Sequence, residues 1–529
     1  MQFRILDYGV FRFPFQTKRL AVFVITVLFV IGLPAMCRAI TDDVQQIEED
    51  TRQQIKQAEK LAKKGQTEEA EKILREILKR DPQNTNAKLK LAYIFLKEKR
   101  LLEAYDLSYE IAQTQPKNSY AMAVLGTTLL SAGNFTEAKR ILYTALTLNK
   151  KEALAWAGFG MLDFYENRIF DSIDNLKTAV YFDGDEPDYI FALAQVSSRA
   201  EKYKEAADAY YRFLQVSPQT DTERRDRIKG LINFLRFLGS RRSLYNLDGG
   251  ERTTVSFELL RDRPVIKLKV NKNEEPLRFV LDTGSGISVI SHETAEKLKI
   301  KPITRGGVAR AIGGDGKFEI VYGFLKSVGI GDVQVESVPV YIRHFHSNDE
   351  KIDGYIGLSL ISKFLTTIDY GNQTFSLVRK DIADEQNLVE NKSLFLPLRL
   401  TSSGFLSGEV QLEGLNASLN FIVDTGASIS VISDEIANTE GISRFVRNEK
   451  MRVVGAAGVT EDVPSFLLPR ITFGNNSRES ITAIALDLDI INEASGFRQA
   501  GILGGNFLKN YRLTFDFKNS KVIFTPVKK

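Results

Sequence analysis

Two aspartates, Asp282 and Asp424, each begin an Asp-Thr-Gly triplet inside a ten-residue segment that occurs twice, and the copies, 282–291 and 424–433, agree at eight of ten positions. Two carboxylates held a few ångströms apart cannot both ionise cheaply, so such a pair keeps one proton between them over a range of pH. The ionised member can draw a proton from a water while the protonated member polarises a carbonyl, and no covalent intermediate is needed. The titration belongs to the pair, so neither aspartate is permanently the acid. A lone Asp-Thr-Gly is most often a turn; two copies in duplicated surroundings point to paired chemistry.

The surroundings are duplicated as well. Leu277–Leu281 and Leu419–Val423 are apolar runs of strand length, rich in branched and aromatic residues, that deliver each aspartate at a strand end. Glycine then allows a tight turn. Downstream, Gly354-Tyr355-Ile356-Gly357 matches Gly501-Ile502-Leu503-Gly504, and each is followed by a strand pair around a turn, 367–375 and 514–522.

This order of parts resembles the retropepsin and pepsin aspartic proteases over residues 252–529. The resemblance implies Asp282 and Asp424 as the catalytic dyad, with Thr283, Gly284, Thr425 and Gly426 supporting the active-site loops. It also implies two substrate-covering flaps, with Ile312, Gly313 and Gly314 in the first and Val454, Gly455 and Ala456 in the second. Two flaps favour a retropepsin-like pseudo-dimer of lobes within one chain over a pepsin with one dominant flap. The chain departs from the family at Gly286, where a serine or acidic residue is common, and neither flap carries a tyrosine of the pepsin kind.

The first half of the chain follows another rule. Ala70, Ala104, Ala138, Ser172 and Ala206 recur every 34 residues, the period of tetratricopeptide (TPR) helix pairs, with Leu91, Leu125, Phe159 and Leu193 in phase. Pro82-Gln83-Asn84 and Pro116-Lys117-Asn118 stop one repeat before the next. Five stacked repeats with a capping helix at 222–238 are expected, and their concave face would dock a protein partner or substrate.

Residues 1–19 are basic and 20–33 almost wholly apolar, ahead of Cys37-Arg38-Ala39. This pattern reads as a signal peptide or an N-terminal membrane anchor, and it predicts an exported protein, periplasmic or membrane-attached and facing outside the cytoplasm. Cys37 is the single cysteine, so no disulfide is expected after cleavage. The 71 Lys and Arg against 67 Asp and Glu give a net charge of only +4 without a long basic run, which argues against nucleic-acid binding. His344-Phe345-His346 lacks a third nitrogen or sulfur ligand and reads as a solvated loop, so no metal or cofactor is expected.

The expected organisation is multidomain: leader 1–39, an all-α TPR solenoid 40–238, linker 239–251, an all-β lobe 252–380, linker 381–393 and a second all-β lobe 394–529. The expected activity is that of an aspartic endopeptidase. The alternative is a scaffold whose lobes hold peptide without cutting it.

Overall fold

The computed structural model describes residues 45–219, 221–346, 351–383 and 393–527. The leader and most of the second connection, 384–392, lie outside the described residues, so the expectations placed on them are not tested by the fold. Among the described residues no helix is long and apolar enough to cross a membrane.

Five helix pairs form the first half. A helix over 45–63 pairs with Thr67–Arg80, Thr85–Lys97 with Leu101–Thr114, Ser119–Ser131 with Phe135–Leu148, Ala153–Tyr165 with Ile169–Phe182, and Pro187–Arg199 with Tyr203–Val216. Thr222–Gly239 caps the stack. All five small residues of the 34-residue period are fully buried, because a bulky side chain there would hold the two helices of a pair apart. The one serine among them, Ser172, satisfies its hydroxyl by donating to the Gly160 carbonyl of the partner helix at 2.6 Å. Asn84 and Asn118 cap the helices that follow, accepting from the amides of Ala87 and Ala121 at 3.0 Å each.

The array curls until its ends meet. A Cβ on Gly65, in the turn of the first pair, would lie 2.6 Å from the Pro218 side chain that follows the fifth. Lys63 reaches Asp183 at 2.8 Å and Lys97 reaches Glu186 at 2.7 Å across the inner face. That face is therefore a cavity of about 380 Å³, with Lys90, Tyr93, Tyr120, Glu152 and Tyr189 in its wall.

Each lobe closes six strands into a ring in the same order. In the first lobe the ring runs Arg263–Val270, Leu277–Leu281, Gly354–Ile356, Val289–Ser291, Val333–Arg343 and Lys317–Ile330, then back to the start. In the second it runs Leu406–Leu412, Leu419–Val423, Gly501–Leu503, Ser430–Ser433, Asn476–Leu486 and Gly458–Phe473, then back. Gly354–Ile356 and Gly501–Leu503 lie parallel to the aspartate-bearing strands and antiparallel to the strands after the triplets. One apolar core fills both lobes and continues between them, from Phe279 and Phe364 to Phe421 and Phe515.

A third sheet binds the lobes to each other. Its six strands are Leu394–Pro397, Lys521–Pro526 and Tyr511–Asp516 from the second lobe, then Phe364–Asp369, Thr374–Arg379 and Arg252–Ser256 from the first.

The stretch 239–251 is more than the linker expected of it. Asn246–Gly249 forms a strand on the edge of the first lobe, in register with Val333–Glu336. Tyr245 just before it is buried in the lobe core, so burial of this aromatic outweighs the glycine and arginine content that suggested an open segment. The array is correspondingly not a free arm. Phe497 of the second lobe inserts among Phe135 and Tyr165 of the array, with ring centroids 4.9 Å from each. Arg199 donates to the carbonyls of Thr401 and Ser402 at 2.6 and 3.1 Å. The cap helix lies along the strand Thr304–Arg310 of the first lobe, so closely that a Cβ on Gly230 would sit 2.4 Å from the Arg305 carbonyl oxygen.

Candidate active site

The two triplets meet at the junction of the lobes. Thr283 donates its hydroxyl to the Val423 carbonyl at 2.7 Å, and Thr425 donates to the Leu281 carbonyl at 2.6 Å. Each threonine oxygen also accepts the other's backbone amide, at 3.1 and 3.0 Å. Both side chains are fully buried. The four bonds satisfy two amides and two carbonyls that would otherwise be stranded away from water, and they fix each aspartate loop against its twin.

The aspartates leave their strands on matched bonds, Asp282 amide to Ile356 carbonyl and Asp424 amide to Leu503 carbonyl, both 3.0 Å. Asp282 Oδ1 accepts the Gly284 amide at 2.9 Å; Asp424 Oδ1 accepts Gly426 at 2.7 Å and Ala427 at 3.2 Å. The glycines are required by the opposite lobe. A Cβ on Gly284 would lie 2.3 Å from Cγ of Asp424, and one on Gly426 would lie 2.6 Å from Oδ1 of Asp282.

The two carboxyls sit half-buried side by side, both within reach of one methyl placed on Gly426. Burial pushes the pKa of Asp282 well above the usual carboxylate range, and the neighbouring Asp424 charge pushes it further. Burial also raises Asp424, but the amides of Gly426, Ala427 and Gly284 and the hydrogen bond from Asp282 favour its ionised form. The two carboxyls are thus in unequal surroundings, with Asp282 pushed up by burial and its neighbour's charge and Asp424 held back by the amides it accepts.

The remaining residues singled out from the sequence lie at the tips of two hairpins, one from each lobe. The hairpin formed by Thr304–Arg310 and Lys317–Ile330 carries Ile312, Gly313 and Gly314 at its tip, and that formed by Val446–Gly455 and Gly458–Phe473 carries Val454, Gly455 and Ala456. The tips touch each other: Ala457 donates its amide to the Ile312 carbonyl at 3.0 Å, and Gly314 to the Val459 carbonyl at 3.2 Å. Gly286, the departure noted in the sequence, packs against the other lobe, since a Cβ there would fall 2.3 Å from the Ser403 carbonyl oxygen.

Sequence reasoning passed over the supports behind the loops. Ser288 and Ser430 accept the amides of Gly357 and Gly504, both at 3.1 Å, and Ser430 donates to Asn506 at 2.8 Å. The identity of the two serines between the copies was the available signal.

Family comparisons agree with this geometry. An aspartyl protease model matches residues 266–360, a gag-polyprotein aspartyl protease model matches 409–510, and a tetratricopeptide repeat model matches 61–107. Aspartyl protease domains and tetratricopeptide repeats are both present in this chain. The two protease matches each span one triplet and its downstream glycine motif, so the lobes are recognised separately. Among solved structures, a thermophilic TPR protein from Thermus thermophilus is 20% identical over 34% of this chain and 98% of its own, with a TM-score of 0.30. The pilF protein of Pseudomonas aeruginosa is 20% identical over 37% of this chain and 86% of its own, with a TM-score of 0.28. A search of curated proteins found no match.

Proposed function

We propose that the chain is an aspartic endopeptidase whose dyad is Asp282 and Asp424. The observation that carries this reading is the reciprocal Thr283 and Thr425 clasp, with each triplet glycine pressed against the opposing carboxyl. A water between the carboxyls would give a proton to Asp424 and attack the scissile carbonyl, whose oxygen takes up the Asp282 proton. As the C–N bond of the tetrahedral diol breaks, the departing amine takes the Asp424 proton and a diol hydroxyl returns its proton to Asp282, which leaves the new carboxyl product and restores the starting state. The flap tips would part to admit peptide and close over it, excluding bulk water.

The array supplies docking in this proposal. A helix about 10 to 12 Å across would fill the 380 Å³ cavity in less than one turn, so the inner face suits an extended segment or chain end of a partner protein. Export across the cytoplasmic membrane belongs to the same proposal and rests on the leader sequence; the N-terminal residue of the secreted chain, read by mass spectrometry, tests it.

The activity is tested by incubating the full chain with a mixed peptide library at acidic and neutral pH, beside Asp282→Asn and Asp424→Asn. Cleavage that either substitution abolishes, and that a statine-type inhibitor blocks, is expected. Cleavage surviving both substitutions would remove the dyad, and no cleavage in any condition would leave a peptide-holding scaffold.

A further inference from the structure

The two halves of the cleft are built alike but lined differently. Arg343 stands in register with Ser291 in the first lobe, and the corresponding partner of Ser433 in the second lobe is Leu486. Likewise Tyr355 is paired with Val289 where Ile502 is paired with Val431. In the second lobe these positions are aliphatic: Leu486 and Ile502 belong to an apolar cluster with Val431 and Ile484 that also takes in Ile312 from the first flap. The first lobe puts a cation and aromatic rings in the same place.

That cation is framed by aromatic rings. The guanidinium of Arg343 lies 5.7 Å from the ring of Phe318 on the flap hairpin and 5.7 Å from that of Phe345. Phe345 in turn meets Tyr355 edge-on, with centroids 5.2 Å apart. The Nε atom is buried and has no hydrogen-bond acceptor, and no ion pair to Arg343 exists among the described residues. The side chain is half-buried, and a buried N–H without an acceptor is costly to leave unsatisfied. The twin position Leu486 packs with Ile312 of the first hairpin tip and with Ala427 beside the second triplet, and Arg343 itself stands over Phe318 of the first hairpin, so position 343 faces the same cleft as the dyad.

We propose that Arg343, framed by Phe318, Phe345 and Tyr355, is a specificity-determining residue that receives a carboxylate side chain of the peptide on the first-lobe side of the cleft. This deepens the peptidase reading above and rests on it for the identity of the cleft. The chemistry fits an acidic residue in particular: a guanidinium presents a planar fork to both carboxylate oxygens, and aromatic walls fix the plane of the fork. The second lobe offers only aliphatic surface at the twin position, so the substrate would carry its acidic residue on one side of the scissile bond and an apolar residue on the other.

The test compares two pools of capped octapeptides, identical except that a scanned position holds Glu in one and Gln in the other. Cleavage by the native chain is read by mass spectrometry, and binding to the Asp424→Asn chain by fluorescence anisotropy, which needs no turnover. Glu is expected to be preferred by about ten- to hundredfold at one position. Adding Arg343→Leu, the residue of the twin position, should bring the Glu to Gln ratio to about one, and Arg343→Lys should restore part of it. Arg343→Gln, closer in size, carries the same expectation as the leucine change should that chain fail to fold. Equal binding of the two pools, or a Glu preference that persists without the arginine, would overturn the inference. Glu-selective binding with no cleavage by the native chain would instead overturn the hydrolytic reading and leave the carboxylate site standing.

Discussion

Thr367 and Thr514 face each other hydroxyl to hydroxyl at 3.0 Å, as direct partners where the two lobes share a sheet. On either side of them Thr366 pairs with Phe515 and Ile368 with Leu513, so a local twofold axis runs between the two threonines. The same relation places Thr283 against Thr425 and each triplet glycine against the opposite aspartate. The lobes are joined as one continuous β structure within a single chain.

Replacing Thr425 by Val keeps the shape and removes the oxygen. The Thr283 amide then loses its acceptor and the Leu281 carbonyl its donor, in a site closed to water. At about 1 to 3 kcal/mol for each stranded group, the loss should be about 2 to 6 kcal/mol by urea unfolding. Peptide cleavage should fall by about a hundredfold or more, because the dyad spacing is no longer fixed. A variant with native stability would show that the clasp is ornamental.

Gly284→Ala separates geometry from stability. The added methyl would lie 2.3 Å from Cγ of Asp424, so that carboxyl must turn away. Circular dichroism should report a folded chain while kcat drops by about two orders of magnitude. Full activity in this variant would contradict the placement of Asp424.

The raised pKa of Asp282 has a signature in stability. In the unfolded chain an aspartate ionises near pH 4, whereas burial and the Asp424 charge raise it well above that in the fold. Between the two values the native state binds more protons than the unfolded one, so stability declines as pH rises through this window and stays reduced above it. Asparagine has no such proton to surrender. The Asp282→Asn chain should therefore melt higher than the native chain at pH 7, with the difference vanishing by about pH 3. A variant that melts lower at neutral pH would assign the proton to the other carboxyl.

Phe497→Ala addresses the docking of the array. This ring is buried between Phe135 and Tyr165, and deleting such a side chain costs about 3 to 5 kcal/mol. The loss should appear as faster amide exchange in Phe135–Leu148 and Ala153–Tyr165 and as a separate early melting transition of the array. Unchanged exchange there would mean that the array is held by its other contacts.

What could be read from the sequence was what repeats locally. Each aspartate loop is specified by its own strand, triplet and glycine motif, and the array by small residues whose burial forces a fixed period. Even there part of the repeat was hidden: residues 65, 99, 133, 167 and 201 all adopt a left-handed turn, yet only Gly65 and Gly133 are glycine. Long-range packing left weaker traces. Nothing near Gly230 announces a strand of another domain at contact distance, and the glycines and arginines of 239–251 masked the strand Asn246–Gly249. Gly286 read as a departure until the Ser403 carbonyl was found against it. Arg343 was passed over because a single cation ending an apolar strand commonly lies in solvent.

The cap helix also makes the two gates of the cleft unequal. Its Arg227 donates to the Val308 carbonyl at 3.0 Å, and its Glu223 meets Lys317 at 3.2 Å, so the first hairpin cannot lift without dragging the end of the solenoid with it. Among the described residues the second hairpin's outer strand, Val446–Gly455, pairs only with its own return strand. In the proposed peptidase, entry would therefore be lopsided, with the first hairpin opening only as far as a tilt of the helical stack lets it.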